Sequence, residues 1–246
     1  MEKVYFISDI HLGAETETTR EHKFSMLNSF FDEINKKGNS LFIVGDLFDF
    51  WFEYKYYIPK KHYHIFFRLS KLIENGVNIH FLPGNHDFWT ADFFQNEIGI
   101  KVHSETYSAE MQSKKVFLFH GDGISKKDAG YRFLKKITRN PINIFLFRLI
   151  HPDLGATIAD KASHTSRAYT SSKELDDEAD YLEFAKRKFE EGYDYVITGH
   201  SHRPEIESVA GKTMINLGDW INHFSYGVLS GGELSLKFWN KETKDS

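Results

Sequence analysis

The chain has 246 residues, 41% hydrophobic and 27% charged, with a net charge of −4 at pH 7, the make-up of an ordinary globular protein. It contains no cysteine, which excludes disulfides and thiolate metal sites and is compatible with a reducing compartment. No segment reaches the roughly 18 apolar residues of a spanning helix, and the opening MEKVYFISDIHLG lacks the features of a signal peptide, so the expected location is cytoplasmic or on a membrane surface.

In chain order, short apolar runs predict buried strands at Val4–Ile7, Leu41–Val44, Ile79–Leu82, Val116–Phe119 and Tyr195–Thr198. Helical spacing joins Phe24, Leu27, Phe31 and Ile34 before Gly38, and Ile65, Phe66, Leu69, Leu72 and Ile73 before Gly76. A third helix is predicted from about Lys173 to Glu191, acidic at its start and basic toward its end, as the helix dipole favours. Lys212–Leu217 reads as a strand, and Phe224–Leu229 and Glu233–Trp239 as a hairpin across Gly231-Gly232. The alternation predicts a layered α/β core in one domain spanning 1–246.

Residues 121–170 interrupt that alternation. They hold nine Lys/Arg against four Asp, a net of +5, which leaves the rest of the chain at −9. Tyr131–Ile150 is rich in Phe, Leu and Ile, and Pro141 is expected to divide it into two helices. This reads as an inserted helical cap. Either its apolar residues pack on the core, or the element meets an anionic membrane surface or an acyl chain.

Five polar motifs follow the five apolar strands: Asp9-Ile10-His11, Gly45-Asp46, Gly84-Asn85-His86-Asp87, His120-Gly121-Asp122 and Gly199-His200-Ser201-His202. In α/β sheets the carboxyl ends of strands form the ligand-binding crevice. Carboxylate, imidazole and amide oxygen together suit Mn, Fe, Zn or Co. A carboxylate such as Asp46 can join two ions, and two ions about 3.5–4 Å apart can clamp both oxygens of a phosphoryl displacement and activate water. Each motif alone is weak; all five in strand-following positions are not a coincidence.

The set D-x-H, GD, GNHD, HGD and GHSH resembles the calcineurin-like metallophosphoesterase superfamily over residues 4 to about 220. The resemblance implies a four-layer αββα sandwich, here carrying the helical cap at about 121–170. It implies a dinuclear centre with Asp9, His11 and His202 on one ion, Asn85, His120 and His200 on the other, and Asp46 bridging. Manganese is the first expectation, with iron or zinc as alternatives. His86 is expected beside the leaving oxygen as general acid or transition-state stabiliser, oriented by Asp87.

Asp9-Ile10-His11-Leu12, Gly45-Asp46-Leu47-Phe48-Asp49-x-Trp51, GHSHRP at 199–204 and NLGDW at 216–220 also look like the UDP-2,3-diacylglucosamine hydrolases of lipid A synthesis. Those peripheral membrane enzymes release UMP by attack at the α-phosphate, and they carry a helical lid that holds acyl chains. By this resemblance Trp51, Asn85, Asp128, Tyr131, Lys161 and Arg167 are expected to bind substrate. Established members of that group have Arg where this chain has His86. The expected substrate is an amphipathic anionic phosphoester, a UDP-linked glycolipid first. The alternatives are a metallophosphodiesterase of nucleotides, nucleic acid or phosphoproteins, and a non-catalytic scaffold. Nucleic acid is disfavoured because the positive charge sits in an apolar-rich insert, and a scaffold because every expected ligand is present.

Overall fold

The computed structural model describes residues 2–126, 129–158 and 178–240. The five apolar runs are strands: β1 (Val4–Ile7), β2 (Ser40–Val44), β3 (Asn78–Leu82), β6 (Lys114–Phe119) and β7 (Tyr195–Thr198). The remaining strands are β4 (Lys101–Val102), β5 (Thr106–Met111), β8 (Pro204–Val209), β9 (Lys212–Leu217), β10 (Ser225–Ser230) and β11 (Glu233–Phe238). They form two sheets, ordered β11-β10-β1-β2-β3-β4 and β5-β6-β7-β9-β8. Within them β1 to β4 run parallel, as do β6, β7 and β9, while β10, β11, β5 and β8 pair antiparallel.

Because successive side chains of a strand face opposite ways, one strand feeds two cores. Phe6, Phe42 and Val44 point inward and meet Val116, Leu118, Ile197 and Ile215 between the sheets. Their neighbours Ile7, Leu41 and Ile43 point outward to a second cluster with Leu27, Phe31, Ile65 and Leu69, which belong to α1 (Glu17–Ile34) and α2 (Tyr63–Glu74). On the far side, Phe117, Val196 and Met214 pack against Tyr181, Ala185 and Phe189 of the later helix Glu178–Glu190. The order is helices, sheet, sheet, helix: the four-layer αββα sandwich. The third predicted helix is described from Glu178 onward, and its expected first residues from Lys173 lie outside the described residues.

The insert stands between β6 and that later helix. It forms α3 (Ala129–Thr138) and α4 (Pro141–Arg148), with a further helical stretch through 152–158. Pro141 divides the two as expected. It occupies the first turn of α4, where a missing N–H costs nothing, and the Asn140 side chain accepts the Ile142 N–H at 2.9 Å. The helix Glu178–Glu190 becomes α5 in this order.

Candidate metal centre

All five motifs lie at the carboxyl ends of β1, β2, β3, β6 and β7. Among the described residues, nine non-glycine residues have positive φ, and five of them are Asp9, His11, Asp46, His200 and His202. Such conformations cost free energy and gather where geometry matters more than local comfort. The flanking glycines permit close approach. A Cβ on Gly84 would fall 2.1 Å from Asp46 Oδ1, and one on Gly199 2.1 Å from Ser8 Oγ and 2.6 Å from Asp9 Oδ2, so no larger residue fits beside these carboxylates.

Among the described residues, three groups of ligand atoms result, each within 4.8 Å: Asp9, His11 and His202; His11, Asp46 and His86; and Asp46, His120 and His200. Asp46 Oδ2 lies 3.6 Å from His11 Nε2 and 3.3 Å from His120 Nε2, between the first group and the third. Asn85 Oδ1 is 3.1 Å from His120 Nε2. His11 Nε2 and His202 Nε2 are 3.2 Å apart, aimed at one point.

The surrounding hydrogen bonds hold each ligand in one pose. His120 Nδ1 donates to Val44 O at 2.9 Å, which turns Nε2 toward the site. The His200 N–H donates to Asp9 Oδ2 at 2.8 Å, and Ser8 Oγ lies 2.6 Å from the same oxygen. Asp9 Oδ1, fully buried, has no hydrogen-bond partner. A buried carboxylate oxygen is rarely left so unless a cation is meant to meet it. The donor set and this oxygen fit divalent metal.

Electrostatics agree. Burial works to raise the pKa of Asp9, but His202 and His120 reverse this and hold it well below the usual carboxylate range. Asp46 is likewise depressed against burial, by His120 and His86. Both carboxylates are therefore ionised. Burial opposes protonation of His11, yet Asp49 and Asp9 lift it to about 9. His200 falls to about 4 through burial and the charge of His120.

His86 Nδ1 donates to Asp49 O at 2.7 Å. Burial pushes His86 down against the pull of Asp46. Asp87 departs from its expected role. Its Oδ1 accepts the Gly84 N–H at 2.8 Å and the Asp46 N–H at 3.3 Å, and its Oδ2 accepts the Phe48 N–H at 3.3 Å. It ties three backbone segments together while the Asp49 carbonyl orients His86. Burial and the neighbouring Asp46 raise Asp87 to about 7.

Trp51 also departs from expectation. It is fully buried and stacks on Phe48 at 4.9 Å, with Phe66 and Phe94 around it. It offers no surface to a substrate. Asn85 stands in the centre itself. Tyr131 falls in the first turn of α3 with its side chain outside the described part, and Asp128, Lys161 and Arg167 lie outside the described residues.

Several supporting residues lie outside the five ligand motifs. Lys23 Nζ, buried, donates to Ile10 O at 2.7 Å and pairs with Glu15 at 2.7 Å. Asp219 Oδ1 accepts the N–H groups of Ile221, Asn222 and His223. Only Asp49 in GDLFD and Asp219 in NLGDW carried a signal, as acidic residues inside recognisable strings.

The family model for calcineurin-like phosphoesterases matches residues 2–204. The chain belongs to the calcineurin-like phosphoesterase family. It is a metal-dependent hydrolase of phosphoester or pyrophosphate bonds. Among curated members, the UDP-2,3-diacylglucosamine hydrolase of Porphyromonas gingivalis is 31% identical over 254 residues, covering 96% of this chain and 97% of its own. The enzyme of the same name from Pseudomonas paraeruginosa is 30% identical over 226 residues, covering 88% of this chain and 90% of its own. Among solved structures, zinc-complexed Vps29 of Entamoeba histolytica is 15% identical, covers 97% of this chain and 99% of its own, and superposes with a TM-score of 0.48.

Proposed function

We propose that this phosphoesterase hydrolyses the pyrophosphate of UDP-2,3-diacylglucosamine, releasing UMP and 2,3-diacylglucosamine 1-phosphate, as a step of lipid A synthesis. The observation that carries this reading is an exposed apolar helical face beside the metal centre. Phe133, Leu134, Ile142, Phe145, Leu146 and Leu149 are each more than half exposed on α3, α4 and the turn that follows. Large apolar side chains left exposed at helical spacing on both helices call for a greasy partner.

The face is fastened to the catalytic loops. Trp89 Nε1 donates to Thr138 O at 2.9 Å, and Phe147 packs on Phe52 and Trp89 with centroids 4.7 and 4.9 Å apart. Lys135 Nζ meets the buried Asp122 of the HGD motif at 2.8 Å. Acyl chains lying on α3 and α4 would therefore bring their phosphate to the strand ends. The names of both curated relatives agree with that substrate.

In this reading Asp9, His11 and His202 hold one divalent ion, Asn85, His120 and His200 hold the other, and Asp46 is shared. Manganese comes first, with iron or zinc as alternatives. When bound, the ions supply Lewis acidity and an activated water. Asn85 would also touch the phosphate, and Asp128, Tyr131, Lys161 and Arg167 are proposed substrate contacts. The His86 imidazole gives its Nδ1 proton to Asp49 O, so it must take a second proton at Nε2 to act as an acid toward the leaving oxygen. The anionic substrate arriving beside it favours that proton. No helix among the described residues is long and apolar enough to cross a membrane. Access to the lipid would come from the exposed face resting on a membrane surface.

The generic histidine at position 86 favours a second reading, in which a different phosphodiester is cleaved. Incubating manganese-loaded protein with UDP-2,3-diacylglucosamine and identifying the products by mass spectrometry separates the two. UMP with the lipid 1-phosphate is expected. An untouched lipid in a preparation that still turns over a generic phosphodiester would sink the lipid assignment.

A further inference from the structure

A cavity of about 960 Å³ opens from the metal centre. It is at the upper end of the roughly 300–1,000 Å³ of ligand clefts. Its floor includes Asp46, Asn85, His86, His200 and His202, and no described residue of α3 or α4 lines it. One wall is the first turns of α1, which start at the Thr16 N-cap. The other is the turn after β9, through Asn222 and Phe224. The metal centre is thus flanked by two unlike elements among the described residues: an exposed apolar helical face and a cavity lined mainly by residues with polar or charged groups.

We propose that this cavity is the subsite for the nucleoside half of the substrate, holding the ribose and base of the UMP leaving from the metal centre. The inference rests on the pyrophosphate reading above. The pyrophosphate held at the metals carries a nucleoside on one phosphate and an acylated sugar on the other, and the molecule offers these two substituents different surroundings. Acyl chains match α3 and α4; a sugar and a base match the cavity.

The lining suits that occupant. His22 and Phe224 meet edge to face with centroids 5.5 Å apart, forming an aromatic wall. Thr18 and Asn222 add a hydroxyl and an amide, the groups that read hydroxyls and base edges. The negative charges near the cavity are already engaged. Glu15 pairs with Lys23 at 2.7 Å, and Asp219, 1% exposed, holds the 221–223 N–H groups and lies 3.1 Å from His223 Nδ1.

Both walls are pinned to the Asp9–His11 ligand loop. Lys23 Nζ donates to Ile10 O at 2.7 Å, and the Trp220 N–H donates to Asp9 O at 3.1 Å. The distance from metal centre to wall is therefore set before the ligand arrives, which spares the cost of ordering it on binding.

Calorimetry on manganese-loaded protein tests the assignment with UMP and inorganic phosphate as probes. UMP is expected to bind more tightly than phosphate, which reaches only the metals. His22→Ala, at an exposed position, should weaken UMP by about tenfold and exposed Asn222→Ala by about threefold, with the affinity for phosphate kept. Equal affinities of the wild type for UMP and phosphate would overturn the subsite. So would variants that weaken both probes alike, since that is the signature of a structural role. If the UMP pattern holds but UDP-2,3-diacylglucosamine is not cleaved, the subsite stands and the lipid substrate falls. If the lipid is cleaved and the UMP pattern fails, the cavity is not the nucleoside site.

Discussion

The metal centre and the insert solve opposite problems. At the centre, Asp9, His11, Asp46 and His120 are 0–1% exposed, and their surroundings are fixed by backbone hydrogen bonds. On α3 and α4, Phe133 and Phe145 are 68% and 59% exposed, and the element is held at its base by Phe147, Trp89 and Lys135. The first region spends folding energy on strained backbone and buried charge. The second leaves apolar area uncovered that could have stabilised the fold. Neither choice serves stability alone, and under the proposed function together they would separate the chemistry of the reaction from the choice of substrate.

The comparison breaks hardest at Asp46. Asp46→Asn removes the carboxylate shared by two ligand groups. It should lower kcat/KM for any phosphoester by about 10³-fold or more, roughly 4 kcal/mol. Metal analysis should show the bound ions falling below two per chain, and circular dichroism should show a retained fold. Metal content and turnover matching the wild type would remove Asp46 from the mechanism.

His86→Gln comes next, at about 10²- to 10⁴-fold on the natural substrate. The loss should be larger on an alkyl phosphodiester, whose alkoxide leaving group needs a proton, than on its p-nitrophenyl counterpart, whose phenolate leaves without one. Equal losses on both would assign His86 to structure instead.

A third change addresses the insert. Replacing Phe133, Phe145 and Leu149 together by Ser should lower the preference for UDP-2,3-diacylglucosamine over a water-soluble diester by about tenfold or more. Covering apolar surface stabilises a complex by about 25 cal/mol per Å², so a modest part of these three side chains is enough for such a change. Thermal stability should hardly move, because exposed substitutions change it by about 0.5 kcal/mol or less. A large fall in Tm would show that these residues are core, and an unchanged preference would show that they do not meet the lipid.

The last effect is on stability, not on turnover, and concerns the layer beneath the centre. His62 is 1% exposed against Phe48, Trp51 and Phe66, and burial with Lys61 and Arg20 lowers its pKa from 6.5 to about 3. The folded state keeps it neutral while the unfolded chain protonates. Its contribution is complete above pH 6.5 and is lost as the pH falls toward 3, at up to about 1.4 kcal/mol per pH unit. His62→Gln should flatten the acid limb of a Tm-against-pH curve; an unaltered slope would place the titration elsewhere.

How much of this was legible follows from burial. Strands β1, β2, β3, β6 and β7 are covered on both faces or nearly so, and an apolar run announces them. Strands β5 and β8 are sheet edges with largely exposed residues, and no apolar run marks them. Helix α1 begins at Glu17, well before the first apolar repeat at Phe24, because its early turns line the cavity instead of a core. At the site, short strings at strand ends expose the candidate ligands, since Asp, His and Asn beside Gly have few reasons to follow five strands. The supporting shell was hidden. Lys23 reaches Ile10 across thirteen residues and Trp220 reaches Asp9 across most of the chain. Trp51 and Asp87 sit inside recognisable strings but serve packing and backbone, a distinction only three dimensions reveal.

The most direct measurement is the ratio of kcat/KM for UDP-2,3-diacylglucosamine to that for a water-soluble phosphodiester on the manganese-loaded wild type. With the apolar face and the cavity both engaged by the substrate, a preference of about 10²-fold or more is expected, equivalent to roughly 3 kcal/mol. Equal values, or a preference for the soluble diester, would contradict the division of labour between the metal centre and the insert.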